Sequence, residues 1–237
     1  MSLEDDRNEW ESKHYFEERM LGGDEHCGKR FYEEFEKTFR KSHSPNSQET
    51  VHVLDVGCKS FNCWSDDIKN QANVNLVGLD ISKMALSRYQ RRVGESRKPQ
   101  PVLGVAQYIP FKENSFDEFV CIETLMYARH DYKKVLDELA RILKNEGNGV
   151  LTFYHKDFAQ KQNLPIKDIV TEYTNMSKIR HIAVFNENDV NDLLKDRSLV
   201  PQKTKIFTLG DLSIKYKDKP IPQETKAVIY VECKKQK

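Results

Sequence analysis

The sequence predicts a doubly wound, mostly parallel α/β sheet ending in an antiparallel hairpin, and three observations carry the prediction. Strand-like and helix-like runs alternate from Val51 to Tyr154, the spacing of successive βαβ units. The opening run, with Val51, Val53, Leu54 and Val56, is apolar and mostly β-branched and stops at Gly57, as a buried strand ending in a tight turn does. Beyond residue 186 the pattern changes to a short helix and two strand-like runs joined by a lysine-rich stretch. A hairpin there makes the far edge of the sheet mixed.

Each element has its own signal. Asp6 to Arg19 and Gly28 to Lys41 read as helices, separated by Gly22-Gly23 and closed by the polar linker His43 to Glu49; both are candidates to cap a pocket. A helix near Ser65 to Gln71, a strand Val74 to Leu79, a helix Lys83 to Val93, a strand Pro101 to Val105 and a strand Phe116 to Ile122 follow. From Asp131 to Leu143, the residues Val135, Leu136, Leu139, Ile142 and Leu143 share one face of an amphipathic helix. A strand is expected at Gly149 to Tyr154. Residues 156–185 fit neither period and read as an insertion of the kind that often carries recognition. Asn186 or Asn188 caps a helix to Leu194, and strands follow at Lys203 to Leu209 and Lys226 to Glu232.

A length of 237 residues suits one domain with a full core: a helical cap at 1–49, a core at 50–155, an insertion at 156–185, and a final helix and hairpin at 186–237. The 38 basic and 37 acidic side chains nearly cancel, so no overall charge points to nucleic acid or membrane. Locally, residues 1–26 hold nine acids against three bases, and residues 198–237 hold nine lysines against four acids. Arg88, Arg91, Arg92, Arg97 and Lys98 form another basic cluster. Solvated faces account for such runs, and the alternative is an RNA or protein partner at the lysine-rich hairpin. Five cysteines without metal-ligand spacing suit a reducing compartment and imply no metal site. No run approaches the roughly 20 apolar residues of a membrane span, and the acidic start lacks signal-peptide features. A cytoplasmic location, or cytoplasmic and nuclear, is the expectation.

Four segments fall in one order: LDVGC at 54–58, GLDIS at 78–82, GVAQYIPFKENSFDEFVC at 104–121 and LDELARILKNEGNGVL at 136–151. Together they resemble the class I S-adenosylmethionine-dependent methyltransferases, in the branch that reads LDVGCGTG, G-x-D-x-S, GDAxxLPFxDxSFD and a leucine-rich helix ending in LKPGG. The resemblance covers about residues 50–155. It implies a Rossmann-like methyltransferase fold with a seven-stranded sheet, S-adenosylmethionine as cofactor, and cofactor contacts at Asp55, Gly57, Cys58, Asp80, Ile81, Ala106, Gln107 and Glu123. The physical reading agrees at Asp80, an acid that ends a strand 23 residues after Gly57, where it accepts hydrogen bonds from ribose hydroxyls. A cap on the following helix is its structural alternative. Asp55 either fixes the loop backbone, reaches the cofactor's amino group, or is a strand-end acid satisfied locally.

The departures from the family pattern are as specific. Lys59 and Phe61 stand at the second and third loop glycines, where a side chain crowds the backbone that a cofactor approaches. Val105 stands where the branch has the aspartate that accepts from the adenine amine. Loss of such a charge-assisted bond costs on the order of 1.5 to 3 kcal/mol. Gln107 is its replacement if the strand continues through it.

Downstream, Glu123, Tyr127 and His130 fall where the family positions substrate, and Tyr154 and His155 end the next strand on the same rim. Tyr127, His130 and His155 are the candidates to orient or deprotonate an acceptor, since methyl transfer is an in-line displacement helped mainly by positioning. Core packing at Tyr127 and a helix cap at His130 are the alternatives. Trp10, Tyr15 and Phe16 read as core or as a lid. The leading function is methyl transfer to an RNA, protein or small-molecule acceptor. A degenerate fold acting as a binding or regulatory subunit is the alternative, motivated by Lys59, Phe61 and Val105. A nicotinamide oxidoreductase fits worse, because G-x-G-x-x-G is absent.

Overall fold

Alternation along the first strand sets the two layers of the molecule. Val51 and Val53 project to one side and Leu54 and Val56 to the other, and all four are buried. A strand apolar on both faces needs helices on both. The computed structural model describes residues 27–93, 99–125, 128, 131–161, 169–173, 179–212 and 222–237. Its elements run α1 (Cys27–Ser42), β1 (Val51–Val56), α2 (Asp66–Asn70), β2 (Val74–Asp80), α3 (Lys83–Val93), β3 (Gln100–Leu103), β4 (Phe116–Cys121), α4 (Tyr132–Ile142), β5 (Leu143–His155), α5 (Lys156–Lys161), β6 (Ile169–Tyr173), β7 (Ile179–Phe185), α6 (Glu187–Lys195), β8 (Leu199–Thr208) and β9 (Lys226–Lys235). The helix expected at Asp6 to Arg19, with Trp10, Tyr15 and Phe16, lies outside the described residues, as do Arg97 and Lys98.

Seven strands form the core sheet in the order β3-β2-β1-β4-β5-β9-β8. The first five are mutually parallel; β9 runs antiparallel to β5 and to β8, as the sequence leads one to expect of a hairpin edge. The other two strands, β6 and β7, occupy the expected insertion and pair with each other antiparallel. Tyr154 has Val228 of β9 on one side and Val184 of β7 on the other, so β7 stands above the end of β4, whose pairing with β5 stops at Leu151.

On one face, Phe31, Tyr32, Phe35 and Phe39 of α1, Ile68 of α2 and Tyr89 of α3 cover Val51, Val53, Leu76 and Val120. On the other, Val135, Leu136, Leu139 and Ile142 of α4 and Val190 and Leu194 of α6 cover Leu54, Phe119, Leu151 and Phe153. Asn186 is the cap of α6: its side chain accepts from the Asp189 backbone N–H at 2.9 Å, and the Asp189 carboxylate accepts the Asn186 N–H at 2.9 Å.

Three of the boundary differences from the sequence reading have a visible setting. β3 ends at Leu103 rather than Val105, because the chain folds back with the Tyr108 N–H on the Val105 carbonyl. β5 begins at Leu143 instead of Gly149, α4 passing straight into it, with a register irregularity opposite Phe116 and Glu118. β8 starts at Leu199, four residues early, on the antiparallel ladder to β9. Among the described residues no helix is long and apolar enough to cross a membrane.

The segments IPFKENSFD and LDELARIL meet through one clamp. Arg141 on α4 donates to Glu138 at 2.7 and 2.9 Å and to the carbonyls of Phe111 and Ile109 at 2.8 and 3.0 Å; Glu138 in turn accepts the Ile109 N–H at 2.7 Å. The pairing holds the Glu138 carboxyl below its ordinary pKa. These are charge-assisted bonds to loop carbonyls, that of Ile109 also accepting the Phe111 N–H at 2.8 Å. Arg141→Ala is therefore expected to cost roughly 2 to 3 kcal/mol in urea unfolding. Adding Glu138→Ala should cost clearly less than the sum of the singles; additivity would show that the two side chains act separately.

Candidate functional site

Strand order reverses between β1 and β4, and doubly wound sheets hold ligands in the crevice beyond the carboxyl ends of their strands at such a point. The loops that leave these two strands meet there at close range. Gly57, with φ +79°, lies against the Thr124 side chain, so a Cβ at this position would collide with it. The glycine is required twice, by its backbone conformation and by its neighbour.

The loop after β1 is tied to the end of β2. Gly57 and Cys58 donate to the Leu79 carbonyl at 2.8 and 3.3 Å, and Phe61 donates back to Cys58 at 2.8 Å. The Asp80 carboxylate accepts the Lys59 N–H at 2.7 Å on one oxygen and the Ser82 N–H at 2.8 Å on the other. The acid thus holds the loop and opens α3 at once. Each oxygen retains acceptor capacity, since a carboxylate offers about four lone-pair sites. Burial pushes the Asp80 carboxyl above its ordinary pKa, opposed by the N–H donors of Ser82 and Lys59.

Lys59 and Phe61 keep the glycine geometry without glycine. Their φ angles are +51° and +56°, in the left-handed region that costs an ordinary residue roughly 1 kcal/mol or more. Phe61 recovers that cost by packing. Its ring is buried against Gly78 of β2, which has no Cβ to obstruct it, and lies 4.7 Å from the Tyr89 ring. It goes beneath the loop and lets the backbone follow its course. Lys59 is exposed.

Asp55 shares the α1 face with Val51 and Val53 and is fully buried. Its oxygens accept the Tyr32 hydroxyl at 2.8 Å and the Trp64 indole N–H at 2.7 Å. Burial pushes its carboxyl up to about 7, against the two hydrogen bonds that favour the ion. Tyr32 and Trp64 also meet edge to face, 5.5 Å between centroids. Of the alternatives for Asp55, local satisfaction is what is seen, through two aromatic side chains in place of backbone amides.

The remaining expected residues separate. Cys58 is buried beside Gly78, and Ile81, Ala106 and Gln107 are half-buried around the β2 and β3 ends. Gln107 sits in the turn at 105–108, not on a continuing strand, so the alternation that would have aligned it with Val105 does not apply. Glu123 has φ +51° and donates its N–H to Thr152 on β5 at 2.7 Å. Its carboxylate borders Gly28 in the first turn of α1, close to Cys63. Tyr127 and His130 lie outside the described residues. His155 is 3% exposed, accepts the Asp157 N–H on Nδ1 at 3.0 Å and bonds Glu187 through Nε2 at 3.1 Å. Glu187 also pairs with Lys226 and is held down at about 2, the lysine hydrogen bond being the largest cause. This histidine links β5, α6 and β9.

Among the described residues, most of the hairpin lysines are paired within the molecule. Lys203 bonds Glu34 and Glu232, Lys205 bonds Glu34, Lys234 bonds Glu146, and Lys235 donates to the carbonyls of Ala140 and Leu143. Among the described residues no group of three or more His, Cys, Asp or Glu is arranged to hold a metal ion. Sequence reasoning missed Tyr32, Trp64, Thr124 and Thr152; Tyr32 and Trp64 read as ordinary core aromatics, and nothing local marks the threonines.

The Asp55 cluster predicts a pH signature. Between about pH 4 and 7 the native carboxyl holds a proton that the unfolded one has lost, so its stabilising contribution is complete below about 4 and disappears as pH rises to about 7. Asp55→Asn removes the titration while Tyr32 and Trp64 keep a partner. Urea melts at intervals from pH 4.5 to 7.5 should show the stability of the native protein falling relative to the variant as pH rises, by up to about 1.4 kcal/mol per unit. A difference constant with pH would show that Asp55 stays ionised throughout.

Residues 54–151 match the family described as a methyltransferase domain. An uncharacterized protein of Methanocaldococcus jannaschii is 33% identical over 112 residues, 47% of this chain and 44% of that protein. The sterol 24-C-methyltransferase erg6 of Aspergillus fumigatus is 33% identical over 109 residues, 45% of this chain and 28% of the enzyme. The chain therefore spans less than half the length of these relatives. Among solved structures, magnesium protoporphyrin IX methyltransferase of Synechocystis PCC 6803, with bound S-adenosylhomocysteine, superposes with a TM-score of 0.68 at 13% identity, over 99% of this chain and 100% of that one. With the sheet order and the reversal point in place, residues 54–151 are similar to the methyltransferase domain family, in a chain that has the fold of S-adenosylmethionine-dependent methyltransferases.

Proposed function

We propose that this protein binds S-adenosylmethionine at the crevice between β1 and β4 and transfers its methyl group to an acceptor on the rim formed after β4 and β5. The observation that carries the reading is the loop from Gly57 to Phe61. It retains the backbone course of a glycine loop, with left-handed φ at Gly57, Lys59 and Phe61, and stays bonded to Asp80. Departures that argue for a non-enzymatic binding subunit are accommodated: Phe61 turns under the loop, and Lys59 points to solvent.

The residues present suit the cofactor. Asp80 is fixed by two backbone donors and keeps lone pairs for the ribose hydroxyls. Gly57 has no side chain, which lets the loop after β1 close against Thr124 at the crevice. The bound sulfonium supplies a methyl group activated for in-line displacement. What the chain adds is position: Thr152 fixes Glu123 in a strained conformation facing the crevice, and α1 borders it from above through Gly28. His155, with both ring nitrogens engaged, is better suited to positioning α6 than to taking a proton from an acceptor. The four described cysteines are free, which favours a reducing compartment such as the cytoplasm. The paired hairpin lysines favour an acceptor held at the rim over a nucleic acid held along β8 and β9.

Calorimetric titration of the purified protein with S-adenosylhomocysteine should give saturable binding. Asp80→Asn, which leaves one acceptor oxygen for two N–H donors, should weaken it by roughly ten- to a hundredfold and lower the melting temperature. No heat at millimolar ligand would overturn the assignment.

A further inference from the structure

Two residues in the cofactor loop hold left-handed backbone, and only one has a folded-state reason to do so. Phe61 buries its ring against Gly78 and Tyr89, which offsets the cost of a φ of +56°. Lys59, at +51°, is exposed. The hydrogen bond it gives Asp80 comes from its backbone N–H, a bond that glycine would make equally well and without strain. A strained residue whose side chain contributes nothing to packing belongs to the class that persists for function.

The position of the charge says which function. Lys59 stands between the two halves of the crevice. On the β2 side its backbone N–H meets Asp80, and on the β4 side Cys63 lies beside Gly28 and near Glu123; burial raises the Asp80 carboxyl and the Cys63 thiol, and the Lys59 charge opposes both rises. Among the described residues, the other charged side chains at this end of the crevice include Asp80, Glu123 and Lys29 in the first turn of α1, with Asp55 sealed below. Asp80 and Glu123 suit the hydroxyl and cationic groups of the cofactor. Its one anion, the α-carboxylate of the methionine half, needs a cation, and Lys59 is the one that the loop itself supplies.

Resting on the function proposed above, we propose that Lys59 is a cofactor-binding residue, its ammonium pairing with the α-carboxylate of S-adenosylmethionine at a position where the family pattern has glycine. The substitution then replaces close backbone approach with a charge, and the lysine stem lies along the ligand. No bond is made or broken at this residue; its role is binding and orientation.

The test compares two ligands by calorimetry on the native protein, Lys59→Met and Lys59→Gly. S-adenosylhomocysteine has the α-carboxylate; 5′-methylthioadenosine retains the nucleoside and thioether but lacks the amino-acid half. Both variants should bind S-adenosylhomocysteine about tenfold more weakly than the native protein, with 5′-methylthioadenosine changed by less than about twofold. Lys59→Gly relieves the backbone strain, so its thermal melt should be at or above the native one, which separates the loss of affinity from any loss of fold. Lys29→Met should leave both affinities within about twofold. Equal losses for the two ligands, or a Lys59→Gly protein that binds S-adenosylhomocysteine as well as the native one or better, would overturn the assignment and identify Lys59 as an obstruction. If the native protein bound neither ligand, the cofactor assignment itself would fall, and this one with it.

Discussion

One carboxylate, Asp80, joins three parts of the molecule that chain connectivity leaves apart. It closes β2, accepts the Lys59 N–H from the loop after β1, and accepts the Ser82 N–H at the entry to α3. Release of those two donors would leave the loop held only at the Leu79 carbonyl and the entry to α3 only by the Ser82 hydroxyl, which accepts the Ala85 N–H. The acid must be buried to do this, and burial raises its pKa; the two N–H donors and the Lys59 charge oppose that rise. The groups that would touch a cofactor are thus also the groups that hold the crevice in shape before a cofactor arrives. Such preorganisation keeps the cost of ordering the loop out of the binding step.

A second layer fixes the same loop from below. Asp55 occupies a core position on β1 that its neighbours fill with valine, and it is tolerated because Tyr32 and Trp64 give it two hydrogen bonds. Tyr32 comes from α1 and Trp64 from the segment leading into α2, so the carboxylate fastens an otherwise hydrophobic helix to the strand at one orientation. Phe35 packs on Trp64 and Phe39 on Phe35, extending the contact along α1. At the other end of that helix, His43 meets the buried Glu118 at 2.8 Å, and Asn148 donates to the same oxygen. Polar contacts at both ends set the register of a helix whose aromatic face would allow others.

Much of the sheet was legible because its signals are local. Alternation at Val51 to Val56 gives the face of every residue in β1, including Asp55, and the 3.6-residue period of Val135, Leu136, Leu139 and Ile142 gives the face of α4. The hairpin at β6 and β7 was not legible, since Ile169–Tyr173 and Ile179–Phe185 pair chiefly with each other and meet the main sheet only at Tyr154 and His155. Among site residues, Asp80 and Gly57 could be placed from spacing. Thr124 and Thr152 could not, because each acts across a strand boundary on a residue far away in sequence or on another loop. The lysines of β8 and β9 read as a binding patch in one dimension; their acidic partners on α1, β5 and β9 are 29 to 171 positions away and become visible only on folding.

The sequence by itself determined the order of strands and helices outside residues 156–185, the acid and glycine at the crevice, and the fact that two loop positions depart from glycine. It left open whether those departures close the crevice, because a residue's identity does not state its φ angle or the direction of its side chain. The tertiary structure decided both: Gly78 leaves room for the Phe61 ring beneath the loop, while Lys59 remains above it in solvent. The physical reason is that left-handed backbone is a local cost whose offset is non-local. Whether a side chain can repay it depends on a cavity made by another strand, and a one-dimensional pattern contains no such information.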